Sequence, residues 1–494
     1  MKLLLELRPA LDGHAGIPQE NRLLFRGLRS SDSFDVEGLI QSGHLLLPEG
    51  LPVVDGCIRC SLTADQETNR VSRIVVTLAE ETRPRGIARQ IRRLVTGMVL
   101  IHLCVATILR RRHRLTGFLP GRFSDFFWRR LFAKTLPAQD LELVTRARMR
   151  VLRPPYALMH MVGLMARRLG VSMYPKLDTR GVDVVIAQTP FPATVSESTK
   201  LVVRYLDAVP LLMPDTIISK SFHQALHYTA LRHNVTRGSY FVCASDATRN
   251  DLIAVFPQAA ARAVTIHCMI SHHYYLEDSS PRRVPDILEK RISHRTQLRD
   301  HTQLEAARAG AGDFSYLLMV STLEPRKNHS TLFAAWEHLR AERYPDLKLV
   351  LVGGLGWGHE SILRPLDSWM ARAQAFLLHD VPADELRLLY RHARVTVCPS
   401  LGEGFDYSGV EAMRCGGVVA ASSIPVHREV YDSAAEYFNP YSVTDTAAAI
   451  DRVLDPERRE VRSQLLAAGA EVSARYLPDR ILPRWDGFLR GLRP

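Results

Sequence analysis

The chain has 494 residues, 46% hydrophobic and 23% charged, which is ordinary globular composition. The length leaves room for two or three domains, and the chain shows no short repeat and no low-complexity tract. The net charge of +12 is clustered, which favours phosphorylated substrates or an anionic membrane face over nucleic acid.

Seven scattered cysteines and the absence of a secretion signal read as a reducing, cytoplasmic setting. Cys57 and Cys60 form a C-x-x-C without the second pair that a zinc site wants. Residues 2–8 read as a buried strand. Gly13 and Gly16 mark a tight loop, Pro18 suits a first helical turn, and Leu23, Leu24 and Leu28 supply an apolar stripe. A glycine loop between a first strand and a first helix is where open α/β sheets place ligands, and it is equally a simple turn.

Residues 83–134 differ in character. Arginine-rich segments flank the apolar run Leu94–Leu109, and RRRHR and FSDFFWRRLF follow. The run is short of the roughly 20 residues of a spanning helix. An interfacial segment with basic flanks and aromatics and a buried helix are both open. From residue 182 the alternation of strand and helix returns, with VDVVIAQ, KLVVRY and SYFVCAS as strands and Ser245-Asp246 as a helix cap. His223 and His227 are four apart on a helix, but HQALH lacks the glutamate of a zinc-peptidase motif. Residues 279–312 read as a linker. Beyond them the βα alternation is regular and argues for a parallel, doubly wound sheet.

The stretch VCPSLGEGFDYSGVE, residues 397–411, carries the chemistry. An apolar strand end breaks at Pro399-Ser400 and passes through a glycine-containing loop. A helix then reads as starting near Gly409, with Glu411 in its first turn. Free N–H groups at a helix start suit phosphate, and Glu403 and Glu411 can accept hydrogen bonds from paired sugar hydroxyls. Arg326 and Lys327 fall in a loop between a strand and a helix, where adjacent cations can hold a diphosphate and neutralise a leaving group. No D-x-D triplet offers the usual metal clamp. Gly353, Gly354, Gly356 and Gly358 either admit a ligand close to the backbone or only turn the chain.

STLEPRKN, ADELRLLYRHARVTVCPSLGEGF and GVEAMRCGGVVAASSIPVHREV together resemble the retaining GT-B glycosyltransferases that carry a Glu-x7-Glu motif, the group 1 family of bacterial polysaccharide type. The resemblance is close over about residues 314–455. It implies an α/β fold of two Rossmann-like domains facing across a cleft. The N-terminal acceptor domain would be 1–300, with the helical insertion 83–134. The nucleotide-sugar domain would be 313–470, and a helix in 471–494 would return to the first domain.

It also implies that Glu403 faces the donor sugar, Glu411 the ribose, and Arg326 and Lys327 the diphosphate. Gly404 and Phe405 would offer backbone to sugar or phosphate, and Gly16 would lie near the diphosphate. Two departures stand out. Asp406, Tyr407 and Ser408 replace the Gly-Leu-Pro that often follows Glu-Gly-Phe, and Leu206 stands where histidine often precedes Asp207.

The expected activity is transfer of a hexose, of mannose or rhamnose type, from a nucleoside diphosphate sugar to a glycan or lipid-diphosphate-linked acceptor in surface polysaccharide or O-antigen assembly. Retention is expected, with no metal or other cofactor, no nucleic acid partner, and a cytoplasmic site that can include the inner membrane face. A sugar-nucleotide epimerase and a non-catalytic binding or scaffold protein of the same fold are the competing expectations.

Overall fold

The structure is a computed structural model that describes residues 1–11, 13, 16–54, 57–58, 62–79, 86–168, 170–217, 220–292 and 314–492. In the C-terminal half, apolar runs separated by helices become six parallel strands. Their spatial order is Ala375–Leu378, Lys348–Val352, Tyr316–Val320, Val395–Cys398, Val419–Ser422 and Ala435–Phe438. Helices cover both faces, so the strands are apolar along nearly their whole length. The order reverses between Tyr316–Val320 and Val395–Cys398. The loops that follow these two strands therefore open onto one crevice at the carboxyl edge of the sheet.

The N-terminal half builds an eight-stranded sheet in the order Ala263–Thr265, Tyr240–Cys243, Lys200–Tyr205, Val184–Ala187, Lys2–Glu6, Asp35–Ile40, Met149–Val151 and Thr116–Phe118. All neighbours are parallel except the last pair. Here the reversal lies between Val184–Ala187 and Lys2–Glu6. The chain leaving Lys2–Glu6 passes Gly16 into helix Ile17–Arg29. Helix Asp246–Val255 starts as its cap requires, with Ser245 Oγ accepting from Thr248 N at 3.1 Å.

The aromatic stretch after the arginine run is not a surface belt. Phe127, Trp128, Leu131 and Phe132 are buried in the N-terminal core, where Phe132 stacks on Phe25 at 5.6 Å and Phe118 meets Phe127 at 4.6 Å. Partners distant in sequence draw these rings inward. The apolar run itself forms a 23-residue helix, Gly86–Ile108, lying against helix Tyr156–Arg168 through Leu103, Leu158 and Val162.

The expected linker is also structured in its first part. Helix Arg283–Arg291 packs on helix Ala383–His392, Arg291 Nε donates to Glu385 at 2.6 Å, and His379 N donates to the Arg291 carbonyl at 3.1 Å. Residues 293–312 lie outside the described residues, as does Cys60 of the C-x-x-C.

At the other end, helix Pro478–Gly491 leaves the C-terminal domain and lies on the first helix. A Cβ on Gly27 would sit 2.4 Å from Leu482, so glycine permits this close approach. Trp485 and Leu489 are fully buried there, and the Arg204 guanidinium stands 5.6 Å from the Trp485 ring. Trp485→Ala should therefore cost about 3–5 kcal/mol in urea unfolding of the full chain. A loss below about 1 kcal/mol would mean that the last helix does not complete this core.

Candidate active site

Arg326 and Lys327 sit in the turn Pro325–Lys327, just beyond strand Tyr316–Val320. Asn328 follows in the left-handed region at φ 58°, and its side-chain amide donates to the carbonyls of Pro399 at 3.1 Å and Pro440 at 2.8 Å. This pins the turn to the neighbouring loop, and Leu401 N donates to the Arg326 carbonyl at 2.9 Å.

Glu403 arrives from that second loop and lies between the two cations. Its Oε2 is 2.8 Å from Arg326 Nη1, and its Oε1 is 2.5 Å from Lys327 Nζ. Arg326 Nη1 also donates to the Gly402 carbonyl at 2.7 Å. Burial alone would raise the Glu403 carboxyl, but Arg326 and Lys327 overcome it and hold its pKa below the ordinary value. For Arg326, burial opposes the charge, while Glu403 and Asp207 stabilise it and raise its pKa.

Asp207 brings a further charge from the N-terminal domain. Burial raises its pKa, with Arg326 pulling it down and Glu403 pushing it up.

The motif helix runs Tyr407–Arg414, starting two residues earlier than the sequence reading placed it. Glu411 is consequently in the second turn. Asp406, at φ 59°, is the cap, and its Oδ1 lies 3.3 Å from Ser408 N and 2.7 Å from Ser408 Oγ. The helix start thus already holds a carboxylate of its own, on the Ser408 N–H.

Of the residues that replace Gly-Leu-Pro, Asp406 and Ser408 act locally and Tyr407 acts across the cleft. Asp406 Oδ2 is 3.1 Å from His427 Nε2, and burial of this carboxyl is overcome by the His427 hydrogen bond and the Lys327 charge, so its pKa lies far below the usual range. His427 Nδ1 is 3.0 Å from Ser422 Oγ, which donates to the Ser400 carbonyl at 2.6 Å. Tyr431 stacks on His427 at 4.9 Å and donates to the Asp406 carbonyl at 3.1 Å. A Cβ on Gly409 would lie 2.3 Å from that tyrosine ring. Tyr407 reaches the other domain, donating to Glu20 Oε2 at 2.9 Å.

Glu411 faces away from the cations. Its Oε1 accepts from Gln19 Nε2 at 2.9 Å and its Oε2 from Tyr390 OH at 3.1 Å. Burial dominates and raises its pKa to about 7, against the hydrogen bonds from Gln19 and Tyr390. The structure therefore brings Arg326, Lys327 and Glu403 together and places Glu411 against Gln19 of the first helix.

Gly16 is the cap of that helix at φ 68°, three residues before Gln19. Gly404 lies against the opposite domain, where a Cβ would fall 1.7 Å from the Leu206 carbonyl oxygen. The Phe405 ring is buried against Tyr476 at 5.1 Å and Tyr407 at 5.2 Å. Gly353 and Gly356 serve the chain. A Cβ on Gly353 would be 2.0 Å from the Ser321 carbonyl, and one on Gly356 would be 2.5 Å from Glu324, so here glycine lets two loops meet.

Gln19, Tyr390, His427 and Glu429 escaped the sequence reading as site residues. Glu429 crosses the cleft to accept from the N–H groups of Asp246 at 2.6 Å and Ala247 at 2.9 Å, and its Oε1 is 2.8 Å from His267 Nε2. His427 and Glu429 lie in the PVHREV text that carried the resemblance, which was the one available signal. Gln19 had none beyond its place after the glycine loop.

Residues 302–471, about a third of the chain, match the family model described as Glycosyl transferases group 1. The chain is 26% identical over 271 residues to the Serotype-specific mannosyltransferase WbdA of Escherichia coli, covering 54% of this chain and 31% of that protein. It is 30% identical over 245 residues to the O-antigen chain mannosyltransferase B of Escherichia coli, covering 49% of this chain and 57% of that one. The chain thus spans about a third to about half of the length of these curated relatives. Sucrose-phosphate synthase (tll1590) from Thermosynechococcus elongatus superposes with a TM-score of 0.56 at 16% identity, over 99% of this chain and 98% of that one, a likeness of fold alone. The match to the group 1 family is thus confined to the segment 302–471, and the two-sheet architecture is of the GT-B kind.

Glu411 gives this site a pH signature. Its folded pKa is raised above the ordinary 4.5 to about 7, so folding favours the protonated form. Its stabilising contribution is full below pH 4.5 and is lost as pH rises through 7. Glu411→Gln, which mimics the protonated acid, should gain stability over the parent by up to about 3 kcal/mol between pH 5 and 8 in denaturant titrations. A difference that stays constant across that window would show that Glu411 titrates normally.

Proposed function

We propose that this chain is a glycosyltransferase that moves a hexose from a nucleoside diphosphate sugar to a glycan or lipid-linked acceptor in surface polysaccharide assembly. One observation carries this reading. Arg326 and Lys327 meet Glu403 at the switch point of the C-terminal sheet, inside the segment that matches the group 1 family. The curated relatives named as mannosyltransferases favour a mannose-type donor.

In this proposal the donor diphosphate lies against Arg326 and Lys327, which stabilise the charge that develops on the leaving oxygen. Two fixed cations can supply this without a metal, and turnover in excess chelator tests that point. Glu403 would orient a sugar hydroxyl. The bond from the anomeric carbon to the phosphate oxygen breaks as the acceptor hydroxyl bonds the same face. Its proton passes to the departing phosphate, and the configuration is retained.

Gln19 presents to Glu411 the same kind of donor that a ribose hydroxyl would offer. Donor entry would then exchange one hydrogen bond for another and part the two domains.

With donor saturating, Arg326→Ala should lower kcat by about 10²–10³-fold while leaving the acceptor KM nearly unchanged. Undiminished turnover would remove Arg326 from the chemistry. Binding of nucleoside diphosphate hexoses by the parent without transfer or hydrolysis would make the chain a binding module of this fold.

A further inference from the structure

Helix Gly86–Ile108 turns one face to its domain and the other outward. On the inner face Leu103 is buried against Leu158 and Val162 of helix Tyr156–Arg168. On the outer face Ile91, Leu94, Met98, Ile101, Val105 and Ile108 recur at alternating spacings of three and four and are each between 49% and 69% exposed. That stripe is about 25 Å long at 1.5 Å per residue. Val95 and Leu109 widen it.

Leaving this much contiguous apolar surface in water is unfavourable, and the stripe therefore calls for a partner. The surrounding charge says which. From Gly86 to Ser124 there are eight arginines and no Asp or Glu. Arg89 and Arg93 stand exposed at one end of the stripe, and Arg110, Arg111 and Arg112 at the other.

A second copy of the chain is a poor match. The spacing suits a coiled-coil seam, but no position flanking the seam carries an acid. Pairing two such helices in either direction would bring arginines onto arginines. Spanning is a poor match as well, although the 20 residues Arg89–Ile108 are long and apolar enough to cross a membrane. Crossing would pull Leu103 from its packing and draw Arg89, Arg92 and Arg93 toward hydrocarbon. A surface with an apolar interior beneath a layer of negative charge satisfies both the stripe and the arginines.

We infer that helix Gly86–Ile108 is a docking element for an anionic lipid bilayer. It lies in the plane of the interface, with the outer stripe in the acyl boundary and the arginines on lipid phosphates. This holds whatever reaction the cleft performs.

The test uses the full chain and sedimentation with vesicles of phosphatidylcholine alone or mixed with phosphatidylglycerol. The chain should partition onto the mixed vesicles, release in high salt and ignore the neutral ones. Replacing Arg110, Arg111 and Arg112 together with Gln should weaken binding about 100-fold at low salt, from roughly fivefold per arginine. The combined change Leu94→Gln, Met98→Gln and Ile101→Gln should abolish it, with an unchanged thermal melt showing that the variant is folded.

Because those changes could still disturb the helix, a single Met98→Trp substitution gives an independent readout. Its added fluorescence should be quenched by lipids brominated in the acyl chain. Equal binding to neutral and mixed vesicles, no binding, or no added quenching would overturn the proposal. So would a lipid-free dimer that the three Gln changes dissociate, or a membrane pool that resists alkaline extraction.

Discussion

Glu20 is the constraint on which the arrangement of the cleft depends. It is fully buried, and its Oε1 lies 2.8 Å from Arg204 Nη2 while its Oε2 accepts from Tyr407 at 2.9 Å. Arg204 is equally buried, and its remaining donors go to the carbonyls of Ile266 at 2.6 Å and Cys243 at 3.1 Å. A buried carboxylate must keep its partners or lose several kcal/mol. The pair therefore fixes the rotation of the first helix against strand Lys200–Tyr205. With Glu20 held there, Gln19 on the next position meets Glu411, and the first residue of the motif helix closes the contact from the other side.

Across the cleft, Tyr407 on Glu20 and Gln19 on Glu411 each pair one carboxylate with a neutral donor, and Glu429 takes two backbone N–H groups together with the His267 ring. The ion pairs Arg204 with Glu20 and Arg326 with Glu403 stay within one domain each, while Asp207 faces Arg326 and Glu277 pairs with Arg387 at 2.6 Å from the other half. If the domains part, water can take over the donors that are released. Parting leaves Glu20 and Glu403 neutralised in their own halves, while Asp207 gives up the charge of Arg326.

How much of this was legible in the sequence follows from the same physics. The C-terminal sheet could be read because its strands are buried on both faces and appear as unbroken apolar runs. Strand Asp35–Ile40 could not. It carries Glu37, buried and 2.5 Å from Arg150 Nε on strand Met149–Val151, with Lys2 Nζ at 3.0 Å from the first strand. Charges that neutralise one another between neighbouring strands look polar in one dimension and are core in three.

Arg326, Lys327 and Glu403 could be named because each stands in a loop directly after an apolar strand. The surroundings of Glu411 could not be inferred, since Gln19 is 392 residues away. Asp406 was visible as a departure, but its pairing with His427 needed the fold.

The last helix has a consequence for synthesis. Trp485 and Leu489 of helix Pro478–Gly491 are interior residues against the N-terminal sheet and the first helix. During translation the first domain to emerge therefore lacks part of its interior until Trp485 and Leu489 have been made, although domains ordinarily fold in order of emergence. The C-terminal domain can consolidate first, and the earlier one is sealed afterwards. A chain released after residue 475 would hold every element of the second domain and an unfinished first, with an apolar gap where Trp485 belongs.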